Sequence, residues 1–390
     1  MPDQQKRKDL IVQQNAQSAK SLRDIEQKIL EGLTKNKEIA AILETDDLII
    51  ILENSKVTSD EINVRLKESA IAEKEIDESR EKYRKVAFRA QVLFFTIVDL
   101  AVIDPMYQYS LQWFASLFAS SIDNSPGKNQ DPANRIKGLN DHFTLSLYDN
   151  VCRSLFEAHK LLFSFKMTVN ILDGYNMIDH SELRFFLAGP SGEIKTDDNP
   201  TEWLDDLTWT ETAKQLVAMS ATLSAFKGFD KFFVANHLEF KKIFDSLDPQ
   251  NMPLPGEWEE KLNTFQKMII VKALRPDKVT LAVAAFVVEH LGQPFVEPPV
   301  FNLAKSYKDS SITTPLIFVL SKGSDPVASF ERFAEESNMT KKCEKISLGR
   351  GQGPKAEIMI NENLNRGGWV LLMNCHLSVS FMPRLEAIVE

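Results

Sequence analysis

The sequence predicts a mixed fold in three parts: a long antiparallel helical hairpin, an all-α helical region, and an incomplete α/β domain with a parallel sheet. Three observations lead to this prediction. Residues 4–84 contain almost no Gly or Pro, the middle is rich in phenylalanine at helical spacing, and the last third alternates apolar runs with amphipathic ones. We place the hairpin at residues 1–85, the helical region at 86–250 and the α/β domain at 257–390, after a linker with Pro and Gly at 252–256.

The composition is that of a soluble globular protein of two or three domains. Of the 390 residues 43% are hydrophobic, and the net charge of −9 argues against binding nucleic acid or an anionic membrane surface. The N-terminal residues have no apolar stretch of the signal-peptide type, and the longest apolar run, 92–103, is too short to cross a bilayer.

The cysteines indicate a reducing environment. Cys152, Cys343 and Cys375 lie far apart in the sequence and form no CxxC pair. Neither a disulfide framework nor a zinc site is expected, and a cytosolic location fits best.

Two apolar stripes predict the arms of the hairpin. Each has the three- or four-residue spacing of one helix face, and Ser69 and Glu73 interrupt the second stripe. The stripes consist of Leu22, Ile25, Ile29 and Leu33, and of Ile62, Leu66 and Ile76. A turn is expected at 43–48. Two ordinary surface helices folded onto a domain remain the alternative.

Further helices are predicted in the middle of the chain. Apolar residues recur at three or four positions from Phe143 through Leu155 to Leu162, which predicts one amphipathic helix reaching Ile171. Trp258, Leu262 and Ile269 mark another helix, which Pro276 ends.

The α/β domain is predicted from three apolar runs. A central strand at 315–320 leads to a helix at 327–337, a strand at 343–348 leads to a helix at 355–364, and a third strand covers 368–374. The chain is expected to stop before such a sheet is complete.

The segment after the central strand stands where a phosphate-binding loop is found in such domains. A working loop needs several glycines, followed by Lys and Ser or Thr for phosphate and Mg²⁺. Here the segment reads Ser321, Lys322, Gly323, Ser324 and Asp325. Only one glycine is present, and Asp325 stands where an anion would have to bind. The position is that of a phosphate loop, but its chemistry is absent.

The third strand gives an independent indication. In a hydrolysing site of this class, four apolar residues precede an Asp that holds the metal and a Glu that orients water. Here Asn374 and Cys375 follow the strand. Asn lacks the charge that favours Mg²⁺, and Cys is no such base. We therefore predict no catalytic residue, no cofactor site and no metal site in this chain.

A second glycine-rich loop, 349–355, lies between a strand and a helix. Its three alternate glycines match neither the dinucleotide fingerprint nor the Walker loop in spacing. Pro354 also removes a backbone N–H, and Ala356 replaces the hydroxyl that binds Mg²⁺. A tight structural loop is expected.

The sequence resembles the dynein heavy chain of axonemal type in runs spread over its whole length. These runs are 103–111, 159–165, 274–278, 315–326, 347–353 and 369–377. The resemblance implies that the hairpin is the strut, or buttress, of the fifth AAA+ module, that 86–250 is the helical remainder of that module, and that 257–390 begins the sixth. In that family the sixth module does not bind nucleotide, and the resemblance implies the same here. The sequence departs from the usual pattern at Lys322 and Arg350, and neither change restores a phosphate site.

The resemblance also implies a function. The parent would be an ATP-driven, minus-end-directed microtubule motor of the cilium axoneme that uses ATP and Mg²⁺. Its partners would be the stalk coiled coil, the neighbouring AAA+ modules, intermediate and light chains, and microtubules. This chain would be a non-catalytic ring and lever segment. A free-standing nucleotide-binding enzyme using 321–325 or 349–355, and a helical-hairpin scaffold without a motor parent, remain open at this point.

Overall fold

The structure, a computed structural model, describes residues 2–35, 46–127, 131–297, 301–311, 314–320 and 323–389. Its regular elements are mostly α-helices, and the two named strands form one small parallel sheet. The chain divides into two compact units, Met1–Pro298 (unit 1) and Pro299–Glu390 (unit 2).

Two long helices, α1 (Pro2–Lys35) and α2 (Asp46–Lys82), open unit 1 and contact each other. Ile62 and Ile76 of α2 are buried, as their places on the apolar stripe predicted. The predicted turn lies largely outside the described residues, as do the side chains of Leu22, Ile25, Ile29 and Leu33. The antiparallel hairpin therefore stays a prediction.

The rest of unit 1 is a helical core. Its helices are α3 (Arg84–Val98), α4 (Leu111–Asn124), α5 (Pro132–Cys152), α6 (Glu157–Gly174), α7 (His180–Ala188), α8 (Asp206–Thr222), α9 (Phe229–Ala235), α10 (His237–Asp245), α11 (Trp258–Lys261), α12 (Thr264–Leu274) and α13 (Val279–Leu291). Helix α6 packs against α3 and α13, and α12 packs against α7 and α8. One continuous apolar cluster joins these helices from Ala90 to Phe295.

This packing bears on the predicted domain boundary. Helices α11 to α13 follow the linker at 252–256, yet they share the core of the helices that precede it. The division predicted at 250–257 therefore does not coincide with the boundary between the compact units, which lies at 298–299.

The single helix predicted from Phe143 to Ile171 is wrong, because α5 and α6 are separate. The Tyr107 hydroxyl accepts a hydrogen bond from the Phe156 backbone N–H (3.1 Å), and it lies 2.7 Å from His159 Nδ1. Ser154 Oγ donates to the Val151 carbonyl (2.9 Å) and lies 2.7 Å from the Tyr109 hydroxyl. At the break, the Phe156 N–H and the Ser154 hydroxyl therefore have hydrogen-bond partners in Tyr107 and Tyr109, about fifty residues earlier in the chain.

The helix predicted to run from Trp258 until Pro276 ends it is also two helices, α11 and α12. Asn263 begins α12 with a capping box: its side chain accepts from the Gln266 N–H, and the Gln266 side chain accepts from the Asn263 N–H. Such reciprocal bonds satisfy donors that a helix start leaves free, so the local sequence favours a new start at Asn263.

Unit 2 contains helices α14 (Leu303–Lys308), α15 (Val327–Glu336), α16 (Gly353–Arg366) and α17 (Met382–Val389). Strands β1 (Cys343–Ser347) and β2 (Trp369–Met373) pair in parallel, with Cys343 opposite Trp369 and Ser347 opposite Met373. Trp369 stacks on Phe333 of α15, with ring centroids 5.4 Å apart. The predicted strands at 343–348 and 368–374 and their parallel direction are confirmed.

The central strand predicted at 315–320 is wrong in this structure. The segment has no regular structure, and Ile317 and Val319 are 83% and 68% exposed. A strand requires a ladder partner, and among the described strands the sheet contains only β1 and β2. An apolar run predicts burial, but it does not supply a partner.

In the described part of the chain, no helix combines the length and the hydropathy needed to cross a membrane.

Candidate functional site

Two residues of the predicted phosphate loop, Ser321 and Lys322, lie outside the described residues. Gly323 has φ of +89°, a left-handed conformation that glycine adopts without strain. Ser324 and Asp325 are exposed. Asp325 Oδ1 accepts a hydrogen bond of 2.9 Å from the backbone N–H of Val327, the first residue of α15. The carboxylate therefore occupies a helix N-terminal donor, which is the type of group that binds phosphate in a working loop.

Asn374 and Cys375 follow β2, as predicted. Asn374 is in the left-handed region, with φ of 58° and ψ of 39°, and its Nδ2 donates to Ser347 Oγ at 2.9 Å. This bond links the ends of the two paired strands. Cys375 packs against the small core of unit 2, which Leu348, Ala356 and Phe381 form. Both residues thus make contacts within the fold of unit 2.

The glycine-rich loop 349–355 is a packed turn. The Gln352 N–H donates to the Gly349 carbonyl at 3.2 Å, and Gly351 has φ of +75°. A Cβ on Gly353 would lie 2.9 Å from Phe381 Cδ2, so glycine is required there for close approach. Lys355 and Arg350 are exposed. The left-handed backbone of Gly351 and the close packing of Gly353 thus each have a structural explanation.

The structure does not join the two predicted sites. No hydrogen bond links the described loop residues 323–325 to Asn374 or Cys375. Across the described ranges, no group of three or more His, Cys, Asp or Glu side chains could hold a metal ion.

The thiols do not point to nucleophilic chemistry. Burial raises the pKa of the Cys152 thiol to about 12, and burial also raises the pKa of Cys343. A thiol must lose its proton to act as a nucleophile, so burial disfavours the reactive form of both thiols.

Unit 1 contains a cavity of about 270 Å³ that sequence analysis missed. Arg89 and His290 line it, and the Arg89 guanidinium lies 5.6 Å from the ring centroid of Tyr175, which also lines it. About two hundred residues separate Arg89 from His290. No local spacing could therefore have revealed the cavity.

Comparison with known proteins identifies relatives for both ends of the chain and for its full length. Residues 311–390 match the family model described as "Dynein heavy chain region D6 P-loop domain", and residues 1–62 match "ATP-binding dynein motor region".

Three relatives illustrate the full-length similarity. The chain is 44% identical over 389 residues to dynein axonemal heavy chain 1 of Homo sapiens and 42% identical over 391 residues to the human dynein axonemal heavy chain 3. It is 40% identical over 392 residues to the dynein-1-beta heavy chain of the flagellar inner arm I1 complex of Chlamydomonas reinhardtii.

Each match covers 100% of this chain, which spans only 9%, 9% and 8% of those three relatives. The similarity is continuous from the long helices to the sheet, and the P-loop domain match at 311–390 includes the predicted loop at 321–325. The chain belongs to the axonemal dynein heavy-chain family.

Proposed function

We propose that this chain is a non-catalytic ring and lever segment of an ATP-driven, minus-end-directed microtubule motor in the cilium axoneme. Its relatives are named as axonemal and flagellar heavy chains, and the chain corresponds to a small part of each. ATP and Mg²⁺ would act elsewhere in the parent motor. Microtubules, intermediate chains and light chains would be partners of that parent.

The observation that carries the non-catalytic role is the Asp325–Val327 hydrogen bond of 2.9 Å. A nucleotide phosphate at this loop would compete with a carboxylate for the same N–H group. Two like charges 4 Å apart repel by about 4 kcal/mol in a typical protein-surface environment. Asn374, in the place of the metal-binding Asp, uses its amide to link the strands. At both positions the side chain makes a hydrogen bond within the protein, which supports a structural role over phosphate binding.

The mechanical role is supported by the long helices. Helices α1 and α2 have 34 and 37 residues, which corresponds to about 50–55 Å each. We propose that they form the strut of the fifth AAA+ module and brace the stalk coiled coil. We further propose that the fifth module extends through 298 and that the sixth begins at 299, because helices α11 to α13 share the core of unit 1.

A Mg-ATP titration tests the non-catalytic role. We expect calorimetry on the 390-residue chain to show no saturable binding up to millimolar Mg-ATP, with Lys322→Ala and Lys355→Ala as matched variants of the two candidate loops. Micromolar binding that either substitution abolishes would contradict the proposal. Such binding would support the alternative of a free-standing nucleotide-binding enzyme. The continuous similarity to dynein heavy chains does not support that alternative.

A further inference from the structure

The cavity in unit 1 lies between four helices of the core. Arg89 belongs to α3, Asp141 to α5, Leu172 to α6 and His290 to α13, and all four residues line it. Its volume of about 270 Å³ is roughly twice the ~150 Å³ of an engineered apolar cavity that binds benzene. Pockets for drug-sized ligands usually measure about 300–1,000 Å³. The cavity therefore suits a compact molecule, about the size of a substituted benzene ring.

The buried part of the cavity lining is mainly apolar. Ile171, Leu172 and Phe295 line the cavity and are 5%, 8% and 5% exposed. Apolar walls of this kind favour an apolar ring or a branched chain, because such a group gains by leaving water. The body of a ligand is thus expected to be apolar.

Two buried threonines also line the cavity, but their hydroxyl protons are already engaged. Thr144 Oγ1 donates to the Asn140 carbonyl at 2.6 Å, and Thr168 Oγ1 donates to the Ser164 carbonyl at 2.8 Å. Each of these bonds lies within the helix of its own threonine. Neither hydroxyl is therefore a free donor for a ligand.

Arg89 supplies the donor that the threonines do not. Its Nε is buried and has no hydrogen-bond partner within the described part of the chain. The guanidinium lies 5.6 Å from the ring centroid of Tyr175, a contact that attracts the cation but accepts no N–H in the ring plane of a carboxylate. Buried polar groups in native proteins almost always have a partner, so this donor points to one from outside the chain.

The exposed charged and polar groups of the lining narrow the choice of ligand. Asp141 and His290 are both exposed. His290 Nδ1 lies 3.0 Å from the Phe286 carbonyl, which can only accept, so Nδ1 carries a proton and Nε2 is the ring nitrogen left for a ligand. The carboxylate of Asp141 repels a multiply charged anion such as phosphate more strongly than a singly charged one.

We propose that this cavity binds a compact monocarboxylate with an aromatic or branched apolar body, and that its carboxylate pairs with Arg89. The planar guanidinium presents N–H groups in the geometry of the two carboxylate oxygens. The apolar walls then hold the body of the ligand, and the limited volume excludes nucleotides. This inference goes beyond the proposed function, and it depends neither on the brace nor on the phosphate-loop position.

The test uses the whole 390-residue chain and para-fluorobenzoate, with the uncharged para-fluorobenzamide as its isosteric partner. Fluorine NMR titration should show saturable binding of the benzoate with a Kd of about 1 mM or tighter, a normal affinity for so small a ligand. The benzamide should bind roughly tenfold more weakly, because it cannot make a charge-assisted pair. Inorganic phosphate at equal concentration should displace little benzoate.

Two substitutions in the cavity lining locate the site. Arg89→Gln should weaken benzoate binding roughly tenfold and leave benzamide binding nearly unchanged. Asp141→Asn, at an exposed position, should tighten benzoate binding about two- to fivefold by removing a like charge. Arg184→Gln is the matched control, since Arg184 is exposed and does not line the cavity. It should leave both affinities unchanged, and circular dichroism should show that every variant keeps its helix content.

Absence of saturable benzoate binding would overturn the proposal, as would equal binding of the benzoate and the benzamide. Full displacement by inorganic phosphate would show a general anion site without an apolar pocket. If Arg89→Gln does not fold, Asp141→Asn still decides, because an unchanged benzoate affinity in that variant would place the ligand elsewhere.

Discussion

At the residue scale, Gly353 has no room for even a methyl group. The nearest atom to a Cβ there would be Phe381 Cδ2 at 2.9 Å, and Phe381 is buried in the small core of unit 2. Gly353→Ala should therefore lower the free energy of unfolding by about 1–3 kcal/mol, the usual cost of overpacking. Urea unfolding of the full chain measures this change.

Gly349→Ala is the matched control, because no atom lies within 4 Å of its added Cβ. It should have little effect. Phe381→Leu in the Gly353→Ala background should recover part of the loss. If both glycine variants were equally stable, close packing would not explain Gly353. A ligand site at 349–355 would then be the alternative explanation.

Glu182 gives unit 1 a dependence on pH. Its side chain is buried, and burial raises its pKa above the ordinary value of 4.5, although Gln266 Nε2 donates to its Oε1 at 2.6 Å. Above about pH 4.5 the unfolded chain therefore loses a proton that the folded chain still holds. Stability then falls as pH rises through this window.

Glu182→Gln should remove this effect while keeping an oxygen that accepts from Gln266. Relative to the parent, the variant should gain stability from pH 4 to pH 7, as measured by thermal melts. Glu202→Gln, at an exposed side chain, is the control for replacing a carboxyl group by an amide. A Glu182→Gln variant that loses relative stability as pH rises would show that the carboxylate is stabilising when charged.

At the element scale, Tyr107 fixes the break between α5 and α6. Its hydroxyl accepts from Phe156 N–H and lies 2.7 Å from His159 Nδ1. Tyr107→Phe should leave that N–H without its acceptor and cost about 1–3 kcal/mol in unfolding free energy. Chemical unfolding of Tyr107→Phe beside Tyr175→Phe, a more exposed tyrosine, measures the difference. Equal effects would mean that the hydroxyl does not fix the break.

This break shows what the sequence pattern conveys about an element. Apolar residues keep their three- to four-residue spacing through 153–156, so the period alone predicts one helix. The hydrogen bonds that separate α5 from α6 come from Tyr107 and Tyr109, about fifty residues earlier. The capping box at Asn263 is different, because both of its residues are local and readable in the sequence.

Strands show the same limit of local information. The runs at 343–348 and 368–374 were predicted correctly, and each finds the other as its partner. The run at 315–320 is equally apolar but has no ladder partner in the described chain, and Ile317 is 83% exposed. The prediction for the candidate sites rested on residue types alone, because Asp325 and Asn374 lack the chemistry that phosphate and Mg²⁺ need, and it stays a prediction. The cavity beside Arg89 required tertiary structure.

At the scale of the whole molecule, the two units and the long helices support a mechanical role. Unit 1 combines α1 and α2 with a continuous helical core, and helix α3 contacts α2. A load on the long helices would therefore reach a packed core directly, without passing through a flexible linker such as those rich in Gly and Ser. Stiffness of α1 is then the property on which a brace depends.

A proline in α1 tests this central claim most directly. Residue 29 lies within the helix Pro2–Lys35, where proline removes a backbone hydrogen bond and costs about 3 kcal/mol or more. ATPase rate against microtubule concentration should be measured in the complete motor for Ile29→Pro, for Ile29→Ala, which preserves the helix, and for the parent. We predict that Ile29→Pro keeps basal ATP turnover and loses most microtubule stimulation, while Ile29→Ala retains it. Full microtubule stimulation in a folded Ile29→Pro motor would contradict the mechanical role of this segment.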